Sequence, residues 1–278
     1  MKLFRLFPWT LLLAGTLFSA ANAQSPIPAD QIAFQAGENL TYAVSYKVGI
    51  VEPDIATVTI KTINSNVNGV PAYRVTAVAE VDSKWKWFFD MRDEYNTWLD
   101  RETLRPLYFS NNIKEGTYRF VSSYLYDWDN MTVTNDYKNL RINVPHQKVM
   151  PLTEQSFDGI AMFFNIRNKI NADMRPGQTA TIQVVMSDTI KHLQYKFIGV
   201  EERNISGLGK YRTLKFSCQL TNSADHDAFP DGTEFFVWFS DDRNRIPLYV
   251  ESPIRVGSIK GYLSSYQGLK YPLGGKVQ

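Results

Sequence analysis

Side chains able to carry out covalent catalysis are few and scattered in this sequence. The chain has one cysteine, Cys218, and three histidines, His146, His192 and His226. A nucleophile triad needs a Ser or Cys beside a His and an orienting acid, and no G-x-S-x-G string supplies the serine. Cys218 stands on the apolar side of an alternating segment, which predicts a buried and unreactive thiol. We therefore predict no catalytic residue, although distant strands could assemble a site that leaves no local motif.

The best metal-ligating cluster is Asp225-His226-Asp227, with Asp231 and Glu234 close behind it. Carboxylate oxygens at short spacing can bind Ca²⁺, and a histidine with carboxylates can bind a transition metal. The spacing matches no EF-hand loop and no second histidine is near, so a solvated hairpin loop explains these residues equally well. We predict neither a metal nor a cofactor. Asp225, His226 and Asp227 are the residues that a metal would use.

Three acids, Asp90, Asp93 and Glu94, lie together around Arg92. Glycoside hydrolysis needs two carboxyl groups held about 5–10 Å apart in a cleft. The sequence does not show whether any two of these acids converge. We favour the alternative that Arg92 forms an ion pair with an acid on a neighbouring strand.

The densest aromatic cluster is formed by Trp85, Trp87, Phe88 and Phe89, which are interleaved with lysines. On a strand, Phe88 would point away from the other three side chains. We predict that these four residues bind a ligand, as a lip that receives an acyl chain or a platform that stacks a sugar. The alternative is that they plug the open end of a barrel or pack on a helix.

The elements that position these residues are mostly strands, because apolar and polar residues alternate along most of the chain. Turn strings such as Asn68-Gly69 and Asp231-Gly232 separate the alternating segments. The predicted strands span about 39–48, 55–63, 72–81, 90–99, 105–114, 117–128, 131–136, 141–148, 180–188, 192–202, 210–221, 233–241, 246–254 and 257–269. The pattern predicts a mainly β protein, a large curved antiparallel sheet or open barrel.

One segment has helical spacing instead. Phe157, Ile160, Ala161 and Phe164 predict a single α-helix over about 156–170, with Ser156 as its N-cap and Asp158 in its first turn. Further apolar residues lie on the opposite side of this helix. A helix that is apolar on two sides should be embedded between other elements, for instance inside the curved sheet.

The first 23 residues have the three parts of a secretory signal peptide. Lys2 and Arg5 form the charged region, residues 11–18 are apolar but too few to span a bilayer, and Ala21-Asn22-Ala23 is a cleavage motif. We predict cleavage after Ala23 and a periplasmic protein, in which a lone cysteine forms no internal disulfide. Cleavage lowers the 30 Lys and Arg to 28, equal to the 28 Asp and Glu. Without net charge, the chain is not expected to bind nucleic acid.

We predict a short tether at residues 24–33 and a single β-rich domain over 34–278. Two β lobes joined near 150–178 are the alternative. No later segment reaches the ~18 apolar residues of a transmembrane helix, so we predict no transmembrane segment in the mature chain.

Three strings carry a family resemblance. They are FQAGENLTYAVSYKVGIVEPDIATVTI from Phe34, the DEY of Asp93-Glu94-Tyr95, and VWFSDDRNRIPLYVESPIRVGSIKGYLSSYQGLK from Val237. Together they resemble the exported bacterial family catalogued as domain of unknown function 3108, over about Phe34 to Tyr271. The resemblance implies an exported, β-rich bacterial domain and supplies no catalytic residue. We interpret Gly37-Glu38 and the turn at 241–244 as structural.

At the level of the fold alone, the pattern is similar to lipoprotein carriers and related periplasmic half-barrels, in which a curved sheet wraps a helix over an apolar groove. The aromatic faces and the embedded helix favour a non-catalytic binder or carrier of an apolar or amphipathic envelope ligand, such as a lipid. The alternatives are a carbohydrate-binding or carbohydrate-active protein, and a structural envelope protein that acts through a protein partner. Enzymatic activity is left open, with the missing motifs against it.

Overall fold

The computed structural model describes residues 25–171, 173–221, 234–254 and 257–277. The predicted signal peptide and the metal candidates Asp225, His226 and Asp227 lie outside the described residues. The strands are β1 Asn39–Lys47, β2 Asp54–Val67, β3 Val70–Val81, β4 Arg92–Asp100, β5 Pro106–Glu115, β6 Tyr118–Asp127, β7 Thr132–Asn139, β8 Val144–Pro151, β9 Ser156–Phe157, β10 Thr179–Val185, β11 Ile190–Ile205, β12 Gly209–Thr221, β13 Glu234–Ser240, β14 Pro247–Pro253 and β15 Ser258–Gln267. The α-helix, α1, spans Ala161–Lys169.

All these strands form one sheet, in the order β8-β7-β6-β5-β4-β3-β2-β1-β15-β14-β13-β12-β11-β10-β9. Neighbouring strands are antiparallel, except that β9 runs parallel to β10. Within the described residues no hydrogen-bonded ladder closes the sheet, and β8 and β9 are its edges. This confirms the predicted curved antiparallel sheet or open barrel with one embedded helix.

The two ends of the sheet nevertheless meet through side chains. Asn135 on β7 donates from Nδ2 to the carbonyl oxygens of Met186 at 2.6 Å and Ser187 at 3.3 Å, in the turn that joins β10 to β11. Asn135, on the strand next to edge strand β8, thus links this half of the sheet to the half that carries β10 and β11.

The helix begins later than the sequence predicts. Ser156 is not its N-cap, because it pairs with Gln183 as part of β9 and its Oγ donates to Gln183 Oε1 at 2.6 Å. Asp158 takes that role instead: its Oδ1 accepts the backbone N–H groups of Ile160 and Ala161, both at 2.9 Å. Its other oxygen accepts from Thr97 Oγ1 on β4 at 2.7 Å, which fixes the start of α1 to the sheet.

The helix packs inside the curve of the sheet. Phe164 and Ile166 are buried in a cluster that also contains Phe34 and inward-facing side chains of β10 to β13. A second cluster surrounds Trp238 and Leu248. Among the described residues, none of the helices has both the length and the apolar character that crossing a bilayer requires.

Candidate functional site

An apolar cavity of about 350 Å³ lies between α1 and the inner face of the sheet. Strand β1 contributes Leu40, Tyr42 and Val44, and α1 contributes Phe163 and Phe164. The remaining wall comes from β2, β3, β4, β14 and β15. The volume lies at the lower end of the range of about 300–1,000 Å³ found for small-molecule sites.

The cavity wall is almost entirely carbon, although Tyr42 and Arg167 contribute to it. The Tyr42 hydroxyl is inaccessible, and burial raises its pKa well above the ordinary value. The Arg167 guanidinium is turned towards other protein groups. A ligand in this cavity would therefore gain free energy from apolar contact and find almost no hydrogen-bonding group on the wall.

Small side chains create much of the space. Ala77 and Ala79 on β3 face the cavity, and so does Gly261 on β15, which stands opposite Val44 and Val250. A Cβ atom added to Gly261 would meet nothing within 4 Å. The backbone at this position is not in the left-handed region, so a larger side chain there would enter the cavity.

Burial along the strands shows which end of the cavity is closed. At one end, Leu40, Pro247 and Arg167 are buried. At the other end, Val44, Ala79 and Ile259 are only partly buried. The register places this second end beside the β1–β2, β3–β4 and β14–β15 loops, since Lys47 pairs with Ser258 and Ala56 with Val81. We call it the open end.

A buried ion pair forms the closed end. Arg167 donates from Nη1 and Nη2 to the two carboxylate oxygens of Glu38, at 2.7 and 2.9 Å. The guanidinium also donates to the carbonyl oxygen of Asn244 and lies over the rings of Phe34 and Phe164. Although burial lowers the pKa of Arg167, the Glu38 carboxylate raises it above its ordinary value.

The two ends of the family-like sequence meet at this ion pair. Gly37 adopts φ +96°, a left-handed conformation open to glycine, and places Glu38 at the start of β1. Asp242 organises the β13–β14 turn, because its Oδ1 accepts the N–H groups of Asn244 at 2.8 Å and Arg245 at 3.1 Å. Both motifs thus help to form the closed end of the cavity, which agrees with the structural role expected for Gly37-Glu38 and for the turn at 241–244.

The aromatic cluster is in the β3–β4 loop, not on a strand. A 3₁₀ turn spans Ser83–Trp85, and Trp85 donates from Nε1 to the Asp54 carbonyl oxygen at 2.8 Å. Trp87 and Phe88 are 79% and 77% exposed, and Phe89 is 44% exposed. These side chains do not line the cavity; they lie in a loop at its open end. Ligand binding by the four aromatic residues stays a prediction.

The acidic cluster has a structural arrangement. Arg92 forms an ion pair with Glu80 on neighbouring β3 at 2.6 Å, which confirms the predicted cross-strand pair. Asp93 is buried and accepts the Lys114 N–H at 2.9 Å. Burial, together with the charge of Asp93, raises the pKa of Glu115. Asp93 therefore associates with Glu115, and neither carboxyl group lines the cavity.

The other reactive side chains that the structure describes, Cys218, His146 and His192, do not converge on one site. Cys218 is buried on β12, and burial raises the pKa of its thiol to about 12, so its predicted burial is confirmed. His146 on β8 stacks on Tyr137, and His192 lies on β11. Within residues 25–171, 173–221, 234–254 and 257–277, no three His, Cys, Asp or Glu side chains are grouped to hold a metal.

Fold and cavity define this chain as a β-barrel-like protein whose open sheet encloses a helix and an apolar cavity. The profile of the family described as Protein of unknown function (DUF3108) matches residues 41–264. The chain belongs to that family, as the terminal strings indicated. No curated protein matches the sequence.

A solved structure of low sequence identity shares the fold, and two further structures align with lower TM-scores. A β-barrel-like protein of domain of unknown function DUF1849 from Brucella abortus aligns with a TM-score of 0.56 and 10% identity, over 84% of this chain and 98% of that one. A Bacteroides fragilis protein with a YmcC-like fold, described as exported, aligns with a TM-score of 0.32 and 12% identity, over 88% of this chain and 100% of that one. A Parabacteroides distasonis protein described as a lipoprotein aligns with a TM-score of 0.34 and 8% identity, over 85% of this chain and 98% of that one.

The main features of the site were not predicted from the sequence. Neither the role of Arg167 and its pairing with Glu38 nor the position of the cavity was foreseen. One signal was present: an arginine in a helix that is apolar on two sides needs a buried partner. The choice of partner depends on the fold.

Proposed function

We propose that this protein is a non-catalytic binder or carrier of an apolar chain, such as the acyl chain of an envelope lipid. The observation that carries this proposal is the carbon-walled cavity between α1 and β1, β2, β3, β14 and β15. Burying a methylene group removes apolar surface from water and is worth about 0.8 kcal/mol. A chain several methylenes long would therefore bind without any polar contact.

The same wall disfavours the carbohydrate alternative for this cavity. Sugar hydroxyl groups lose their bonds to water on burial and need protein partners in exchange. The polar groups of Tyr42 and Arg167 are not presented to the cavity. An amphipathic ligand would keep its polar group at the open end, where the partly exposed Ser252 and Ile259 lie.

We propose that the protein works in the periplasm as one β-rich domain over residues 34–278, after cleavage of the signal peptide at Ala23. The signal-like N-terminal pattern and the single continuous sheet support this. The predicted tether, 24–33, packs on the domain in its second half, where Ile32 and Ala33 are buried and the Ala33 N–H donates to Asn168 Oδ1 at 2.8 Å. The aromatic residues Trp85, Trp87, Phe88 and Phe89 would receive the acyl chain as it enters at the open end, and they would not contact it once it is bound, since they do not line the cavity.

Filling the cavity tests the proposal. Gly261→Leu and Ala79→Leu each place a branched side chain in the cavity, whereas Thr59→Leu adds the same side chain to the outer face of β2. We expect native mass spectrometry of the gently purified protein to find a bound aliphatic molecule in the wild type and in Thr59→Leu. The two cavity variants should lose it.

A fluorescent fatty acid, 11-(dansylamino)undecanoic acid, provides a binding constant for delipidated protein. We expect at least about a tenfold weaker affinity in Gly261→Leu than in Thr59→Leu, since the side chain occupies the space of several methylenes. Equal affinities in the two variants, or a wild type that binds neither the probe nor any aliphatic molecule, would contradict the proposal.

A further inference from the structure

Seven apolar side chains are exposed at the open end of the cavity, on the β1–β2, β3–β4 and β14–β15 loops. We call this set the apolar rim; it consists of Val48, Ile50, Val51, Trp87, Phe88, Phe89 and Ile254. Ile50 is fully exposed, and Trp87 and Phe88 are more than three-quarters exposed. Apolar side chains that are gathered in this way on a water-exposed surface mark an interaction site.

The three loops of the rim are held against one another. Trp85 in the β3–β4 loop donates to the Asp54 carbonyl oxygen, at the end of the β1–β2 loop. Lys260, just after the β14–β15 loop, forms an ion pair with Glu52 at 2.7 Å. At Gly257 the backbone lies so close to the Lys47 carbonyl oxygen that a Cβ atom would be only 2.0 Å away. The rim is therefore one preorganised surface.

The tip of the β3–β4 loop has a defined conformation. The backbone N–H groups of Phe88 and Phe89 both donate to the Trp85 carbonyl oxygen, at 2.9 and 3.1 Å. The rings of Trp87 and Phe88 contact edge to face, with their centroids 5.9 Å apart. The loop thus presents an aromatic pair outwards instead of burying it.

The charges around the rim indicate an anionic partner. Two carboxylates near the rim are neutralised: Glu52 pairs with Lys260, and Glu80 pairs with Lys86 and Arg92. In the part of the chain that the structure describes, the exposed Lys47 and Lys84 form no salt bridge. Asp90 is the exposed acid of the β3–β4 loop, whereas Asp54 and Asp82 are partly buried and accept hydrogen bonds from Tyr262 at 2.8 Å and Thr57 at 3.2 Å. Free ammonium groups beside Trp and Phe side chains are typical of surfaces that lie in a lipid headgroup layer.

We propose that the apolar rim docks on the surface of a lipid bilayer that contains anionic lipids, with the open end of the cavity facing the membrane. This inference rests on the proposed function, since an acyl chain could then pass between bilayer and cavity without crossing water. Trp87 and Phe88 insert into the interface, while Lys47 and Lys84 contact the headgroup phosphates.

Vesicle sedimentation tests the docking surface. The purified protein is mixed with vesicles of phosphatidylethanolamine and phosphatidylglycerol, and the bound fraction is measured for the wild type and for Trp87→Ser with Phe88→Ser. We expect at least about a tenfold weaker partition of this rim variant. The matched control is Ile63→Ser with Leu125→Ser, which removes half-exposed apolar side chains elsewhere on β2 and β6 and should bind like the wild type.

The charge contribution is measured separately. Lys47→Gln with Lys84→Gln should weaken binding to vesicles that contain phosphatidylglycerol by about 30-fold, since the two lysines near an anionic surface contribute about 1 kcal/mol each. Its binding to vesicles of phosphatidylcholine alone should match that of the wild type. Equal partition of the rim variant and its control would overturn the proposal. A wild type that dimerises through the rim and does not bind vesicles would overturn it as well.

The failure of docking can be told apart from the failure of the proposed function. The rim variant should keep its affinity for 11-(dansylamino)undecanoic acid, because Trp87 and Phe88 do not line the cavity. Gly261→Leu should lose the probe but still bind vesicles. A wild type that binds the probe and no vesicle contradicts docking alone, whereas vesicle binding without probe binding contradicts the acyl-chain cavity.

Discussion

Glu38 and Arg167 are 129 residues apart in the sequence and form a bidentate ion pair whose side chains are only 1% and 2% exposed. The pair joins the residue directly before β1 to the last turn of α1. It forms the closed end of the cavity and holds the helix against the sheet.

Glu38→Gln should lower the free energy of unfolding by about 3–5 kcal/mol, because it leaves the Arg167 charge buried without a counter-charge. Urea unfolding measures this loss. Glu80→Gln is the matched control: it breaks exposed pairs with Lys86 and Arg92 and should change stability by less than about 1 kcal/mol. Equal effects of the two variants would show that the buried pair does not hold the helix.

Asp242→Ala should cost about 2–3 kcal/mol, because the carboxylate accepts the N–H groups of Asn244 and Arg245 and, through Oδ2, that of Gly274. Asp241→Ala removes only a half-exposed ion pair with Arg212 and should cost less than about 1 kcal/mol. Chemical denaturation of each variant and of the wild type measures both losses of stability. A small effect at Asp242 would mean that the turn does not depend on its carboxylate.

Asp158 should make stability depend on pH. Burial raises its pKa from 3.8 to about 6, so the folded protein binds the proton of the Asp158 carboxyl group more tightly than the unfolded chain does. The stability that protonated Asp158 contributes is present below about pH 4 and is lost as the pH rises through about 6. The change amounts to about 3 kcal/mol.

The difference in unfolding free energy between wild type and Asp158→Asn isolates this effect and should fall by about that amount from pH 4 to pH 7. Asp127→Asn provides a control of opposite sign. The side chain and backbone of Asn130 lower the pKa of Asp127, so the wild-type advantage should grow with pH. If the unfolding free energies of the wild type and Asp158→Asn change in parallel with pH, the raised pKa of Asp158 is contradicted.

Cys218 should react with a thiol reagent such as DTNB only when the protein unfolds. The thiol is buried, and its raised pKa leaves almost no thiolate at neutral pH. We expect slow modification of the native protein and rapid modification in urea. Fast reaction under native conditions would show that β12 opens locally.

The purified protein should begin at Gln24 if the N-terminal 23 residues are a cleaved signal peptide. Intact-mass analysis of the protein recovered from a periplasmic extract measures this directly. A chain that retains Met1 would contradict both the cleavage site and the zero net charge calculated for the mature protein.

Most strands could be predicted from the sequence because their signal is local. Alternation such as that of Leu40, Tyr42 and Val44 fixes one buried face whatever lies opposite it. Asn68-Gly69 forms the β2–β3 turn because both residues adopt positive φ, at 51° and 90°. The start of α1 was less well predicted, since Ser156 and Asp158 are both good caps and only the pairing of Ser156 with β10 decides between them.

The sequence by itself determined a mainly β chain with one embedded helix, a buried thiol and a signal-like N-terminus. Only the tertiary structure decided that Glu38 meets Arg167, and that Ala77, Ala79 and Gly261 face the same space. The physical reason is that a cavity is the volume left between inner faces distant in sequence. The exposure of Trp87 and Phe88 was decided in the same way, because it depends on which loops share the open end of the sheet.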